Sequence, residues 1–162
     1  MDIINNAESF YYAAQRCLEP RIINENSFQI LMTPAIVNAS FAAELYLKSL
    51  LIKSNRVQKG HDLKILFDAL KNEHKDIIRQ KFNSVHKSFV SDVNNSNLTE
   101  DDLNIFNEKF NKSFDEILEY QSKSFVEWRY LHEKPINSDL NNSIQLYFSI
   151  CDACSEIINN FA

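Results

Sequence analysis

The chain has one glycine, Gly60, in 162 residues, and three prolines, Pro20, Pro34 and Pro135. Sheet proteins draw on glycine for hairpins and bulges, so this scarcity argues against a β architecture and favours helices. It also excludes a glycine-rich phosphate loop. Cysteine is scarce and odd in number: Cys17, Cys151 and Cys154. An unpaired set with no secretory leader reads as reduced thiols in the cytoplasm. An excess of basic residues is lacking too. Lysine and arginine total 17 against 22 acidic residues, a formal net charge of -5. Non-specific nucleic-acid binding rests on neutralising phosphates, so a general binder is disfavoured and only a local basic patch remains open. There is no long uncharged apolar run, so no membrane-spanning helix is expected. The start, MDIINNAESF, has no basic segment leading into an apolar one, so no secretion signal is expected.

Hydrophobic residues make up 44% and charged residues 24%, the balance of a folded globular chain. The length fits one domain, 1–162, with no repeat and no long linker. Apolar periodicity predicts a first helix over 2–18, closed by Pro20, with Ile3, Ala7, Phe10, Ala14 and Cys17 on one face. RIINENSF reads as a connection. A second helix is predicted from Thr33, as cap, and Pro34, in the first turn, to about Lys53. His61 or Asp62 then caps a short helix, DLKILFDAL. A fourth helix is predicted over 73–90, with Ile77, Ile78, Phe82 and Val85 inward, followed by a polar loop, SDVNNSNL. Thr99 and Asp102 open a fifth helix whose stripe is Leu103, Phe106, Phe110, Phe114 and Ile117. The last helix is predicted over 138–161, with Leu140, Ile144, Phe148, Cys151 and Ile158 inward. The expected fold is therefore all-α: an up-and-down bundle of four or five main helices plus short ones.

Three polar clusters interrupt this pattern. On a helical wheel of the second helix, Ile36, Ser40, Ala43, Leu47, Leu50 and Leu51 fall together, and Val37, Phe41, Leu45 and Ile52 widen the apolar arc. Asn38, Ala42, Tyr46, Ser49 and Lys53 fill the rest. Glu44 and Lys48 lie inside the apolar arc, four apart, where they pair as a structural ion pair or line a polar cleft. The second cluster is KGHDL. Gly60 supplies the left-handed residue of a helix exit, Asp62 a cap, and His61 a hydrogen bond to a neighbouring helix. The third is FVEWRYLHE, with Trp128, Arg129, Tyr130, His132 and Glu133. An arginine among aromatics needs an anionic partner, which Glu44 or an RNA phosphate would supply. CDAC, at Cys151 and Cys154, has no second ligand pair for zinc and sits mid-helix, so both cysteines read as small helix residues, and no metal or cofactor is expected.

AAELYLKSLL, then KGHDLKILFDAL, then WRY resembles the HEPN domain family, in which a helix of the type AELALKALL leads to GHDL and an arginine–tyrosine pair follows near the end. The resemblance covers most of the chain from Pro34 to Glu133. It implies a helical bundle, usually a homodimer, and a place in bacterial stress, toxin–antitoxin or anti-phage defence. It also implies a partner in RNA, a nucleotide or an antitoxin-like protein. Many members are metal-independent endoribonucleases marked by an arginine, about four to six residues, and a histidine. This chain departs from that spacing, since His132 follows Arg129 after two residues. Arg56 to His61 and Arg79 to His86 fit it. The catalytic expectation is Arg129 and His132 with Glu44 orienting one of them, and binding contributions from Lys48, His61, Asp62, Tyr130 and Glu133. Arg79 and His86 are the second-choice pair. A histidine would move the proton and an arginine would stabilise the phosphorane as a 2′-hydroxyl attacks its own phosphate. The alternative is a non-catalytic bundle that binds a partner protein or nucleotide.

Overall fold

The computed structural model describes residues 2–25, 27–95, 99–104, 112–122 and 144–160. Helix α1 spans Ile3–Leu18 and begins on Asp2, whose carboxylate accepts from the Ile4 N–H. The segment read from sequence as a plain connection is instead a hairpin. Strand β1, Arg21–Asn24, pairs antiparallel with β2, Ser27–Gln29, with an irregularity between Ile22 and Asn24. All of β1 is exposed, so its apolar residues form no core and left no periodic signal. The Leu31 N–H donates to the Cys17 carbonyl at 3.0 Å and closes the base of this excursion.

Helix α2 runs Met32–Lys53 with Leu31 as its N-terminal flank and no side-chain cap. Thr33 is therefore inside the first turn rather than the cap. Pro34 remains acceptable there because first-turn N–H groups have no intrahelical partner. At the other end Asn55, with φ 54°, takes the left-handed position. The Asn55 N–H reaches the Ile52 carbonyl and the Arg56 N–H the Leu51 carbonyl, which is the pattern of a Schellman exit. That task was expected of Gly60. Gly60 does hold φ 101°, but in the loop before His61.

Helix α3, Leu63–Asp68, starts on Asp62, which accepts from the Lys64 and Ile65 N–H groups at 3.0 and 3.1 Å. Helix α4 spans Asn72–Asn94, so Ser91–Asn94 extend it where a loop was expected. Of its predicted inward residues Ile78 and Phe82 are buried, while Ile77 and Val85 are on the exposed side. Thr99 caps a turn at 100–104 through the Asp102 N–H. Phe114 and Ile117 belong not to that helix but to α5, Phe114–Gln121, which opens on its own capping box of Ser113 and Glu116. The spelling S-x-x-E at 113–116 carried that signal. Helix α6 spans Ile144–Asn159. Phe106, Phe110, Trp128 and Leu140 lie outside the described residues.

Helix α2 is the centre, packed along α1 on one side and against α6 on another, and α6 also packs on α4. The predicted inner row of α2 is buried throughout, and so are Ala42, Tyr46 and Ser49, which were placed in its polar arc; Ile52 turns outward. Contact on two sides explains the difference, because a helix enclosed by two neighbours has no wide polar face. By length and composition α2 is apolar enough to cross a bilayer, at mean hydropathy 1.4 over an 18-residue window, but 67% of that window is buried against the other helices. Its apolarity is that of a core helix. Phe114 joins α3 to α4 by ring contacts with Phe67 and Phe82 at 5.0 and 5.5 Å. Cys151 and Cys154 are buried free thiols in α6, and burial pushes both thiols well up.

Candidate functional site

The core of α2 brings one carboxylate with it. Glu44 is only 1% exposed. A charge so placed costs several kcal/mol unless it is paired and hydrogen-bonded. Among the described residues it has two partners. Lys48, one turn on, places Nζ 2.7 Å from Glu44 Oε1, with 22% of its side chain exposed. His61, from the loop before α3, places Nδ1 3.0 Å from Oε1 and 3.1 Å from Oε2, with 55% of its side chain exposed. A carboxylate only accepts, so His61 Nδ1 is the donor. The cluster is thus graded from a fully buried anion to a half-exposed imidazole.

Local structure fixes that loop. Arg56 donates to the Ala69 carbonyl at 2.7 Å, which holds the loop between α2 and the end of α3. Positive φ at Gly60 turns the chain, and the Asp62 cap starts α3 immediately after His61. The Leu63 N–H then donates to the Ser122 carbonyl at 2.9 Å, tying the start of α3 to the residue just past α5. The structure therefore brings together Glu44, Lys48 and His61, with Asp62 beside them as a cap. Arg129, Tyr130, His132 and Glu133 lie outside the described residues.

Arg79 and His86 share α4 but have separate surroundings. Arg79 meets Asp115 of α5 in a two-pronged contact, Nε and Nη2 each at 3.0 Å, and lies over the Phe67 ring at 5.1 Å. Hydrogen bonding to Asp115 raises the Arg79 pKa further. This arginine ties α4 to α5. His86 stacks on Phe82 at 5.0 Å, and both of its ring nitrogens are buried without a hydrogen-bond partner among the described residues. Tyr11 and Tyr46, which sequence reasoning did not single out, sit where α1, α2 and α6 meet. Tyr11 donates to Asp152 at 2.7 Å, and burial raises the pKa of both phenols. Tyr46 is buried and Tyr11 partly buried against the same core, so both serve packing.

A helical bundle whose central helix carries a buried glutamate, joined to a histidine in a GHDL turn, defines a class of all-α domain built around one internal ionic cluster. The HEPN domain family model matches residues 1–157, and the chain belongs to that family. No curated protein and no solved structure matches the chain.

Proposed function

We propose that this chain is an RNA-directed HEPN protein of the defence or toxin–antitoxin kind, a metal-independent endoribonuclease acting as a homodimer in the cytoplasm. One observation carries the reading: a carboxylate 1% exposed holds the Nδ1 of a half-exposed histidine at the edge of the bundle. Purely structural ion pairs do not need an exposed imidazole, and Lys48 alone already neutralises Glu44.

Chain geometry supports bringing Arg129 into the same site. Ser122 is tied to Leu63, two residues after His61. Arg129 follows Ser122 by seven residues (129 − 122), so it is tethered within roughly 24 Å of that bond. In this reading Arg129 stabilises the phosphorane charge, His132 moves a proton, Lys48 adds positive potential, and Tyr130 and Glu133 contact the substrate. Glu44, Lys48 and His61 form the fixed wall.

Cleavage of a mixed RNA pool in EDTA, beside an Arg129→Ala control, tests this. The expected result is EDTA-resistant cleavage that disappears in the control; equal cleavage by both proteins refutes it. A second reading, a non-catalytic bundle binding a partner protein or nucleotide, is favoured by the net charge of -5. It predicts no cleavage and co-purification of a bound nucleotide or protein.

A further inference from the structure

The β1–β2 hairpin is a sheet of two strands among the described residues. A lone two-stranded hairpin is marginally stable in water, and a third strand or a packed face is what makes a small sheet hold. This one shows no packed face on β1. Every residue of that strand is exposed, and Ile22 and Ile23 stand next to each other at 86% and 61%. Ile30 and Met32, where the chain returns to the bundle, are exposed as well. One edge of β1 pairs with β2; the other has no strand beside it among the described residues. The N–H and C=O groups of such an edge are a template for another strand, and natural proteins commonly blunt a single edge with a charge or a proline inside it. Here the charges flank the edge instead. Arg21 opens it, Glu25 stands just past its end, and Ile-Ile-Asn lies between. We propose that β1 is a dimerisation edge, pairing antiparallel with β1 of a second copy of this chain across a two-fold at Ile23.

Charge chooses that occupant and that direction. Laid antiparallel on itself about Ile23, the segment RIINE sets Arg21 of each copy opposite Glu25 of the other. Opposite charges facing each other across strands stabilise the pair, and like charges do the reverse. A parallel arrangement sets arginine on arginine and glutamate on glutamate. The antiparallel one is also two-fold symmetric, so it closes at two copies. Its centre is the one residue of β1 that the hairpin register leaves without a partner in β2, since Arg21, Ile22 and Asn24 pair and Ile23 does not. The product is a four-stranded sheet, β2–β1–β1–β2, in which the isoleucines of both copies shield one another. So small an interface predicts a dimer in the micromolar range.

The inference rests on the homodimer in the proposed function and on nothing in its chemistry, so the test reads mass and not cleavage. Sedimentation is followed from about 1 to 300 µM, the range in which a small interface dissociates. Wild type, Ile23→Lys, Arg21→Glu and the Arg21→Glu/Glu25→Arg double variant are compared. Ile23→Lys should weaken the dimer by more than about tenfold and Arg21→Glu by about tenfold, and the double variant should return to within about threefold of wild type. Urea midpoints in dilute solution should match for all four, because these side chains are exposed in the protomer. Ile23→Cys should give a covalent dimer on mild oxidation, since opposed residues of an antiparallel pair lie within disulfide reach. Val57→Cys, 82% exposed but away from the hairpin, should not. A wild type that stays monomeric throughout removes the homodimer reading and this inference together. A wild-type dimer that Ile23→Lys and Arg21→Glu leave unchanged overturns the inference alone. A double variant as weak as Arg21→Glu, or equal cross-linking at positions 23 and 57, overturns the antiparallel pairing about Ile23.

Discussion

Replacing Lys48 should harm the protein more than replacing Glu44, although Glu44 is the more buried of the two. Lys48→Met leaves a carboxylate 1% exposed with His61 as its remaining partner among the described residues. Breaking a buried pair in that way costs about 3 kcal/mol. Glu44→Leu leaves an ammonium on a flexible stem that already reaches solvent, 22% exposed. It can extend outward, so the cost falls to about 1–2 kcal/mol. The double variant places two apolar side chains on an apolar arc and should sit within about 1 kcal/mol of wild type. The cycle therefore predicts a coupling of about 4 kcal/mol. Urea unfolding at pH 7 reads it: with a slope of about 2 kcal/mol/M, the Lys48→Met midpoint should drop by about 1.5 M. Additive losses would refute the pairing argument. A larger loss for Glu44→Leu than for Lys48→Met would show that the carboxylate answers to a further cation, with Arg129 the first to examine.

Three other outcomes follow from the same structure. The Ser113 hydroxyl and then its backbone N–H hold Glu116 below the usual carboxylate range. A depressed folded pKa stabilises above the unfolded value, and that gain is lost as pH falls through the folded one. Ser113→Ala should thus lower the melting temperature by about 2–4 °C at pH 7, by a smaller margin near pH 3, and an unchanged margin would contradict it. Burial lowers the His74 pKa from its ordinary 6.5. The unfolded chain therefore takes up this proton first, and stability should decline as pH drops below about 6.5. His74→Phe should flatten that decline in urea melts across pH 7 to 5. Cys151 and Cys154 should stay unreactive towards a thiol reagent until urea unfolds the chain, because burial keeps both thiols protonated. Rapid modification of either in the native protein would mean that α6 opens easily.

The fold was legible where apolar period and caps agree. Helix α2 announced itself through Ile36, Ala43, Leu47 and Leu50, and α3 through Asp62. The hairpin was not legible, because β1 is exposed throughout and so carries no alternation, and the sequence between the strands has no glycine. The start of α5 was hidden by a run of phenylalanines that continues the spacing of the helix before it, although Ser113 and Glu116 spell a cap. At the site, the conflict between Glu44 and its apolar neighbours marked the position. The wheel gave Lys48 as partner since four residues make one turn. His61, seventeen residues away, could be placed against Glu44 only by the fold.

The Leu31 to Cys17 hydrogen bond separates the hairpin from the bundle. Both helix ends are fixed below that bond, and every residue of β1 above it is exposed. The hairpin is in effect a handle on the molecule. Its length and sequence are open to exchange without disturbing the interior, so an epitope or fluorophore-bearing loop grafted beside Glu25 should report on the protein from outside while α1 and α2 keep their packing.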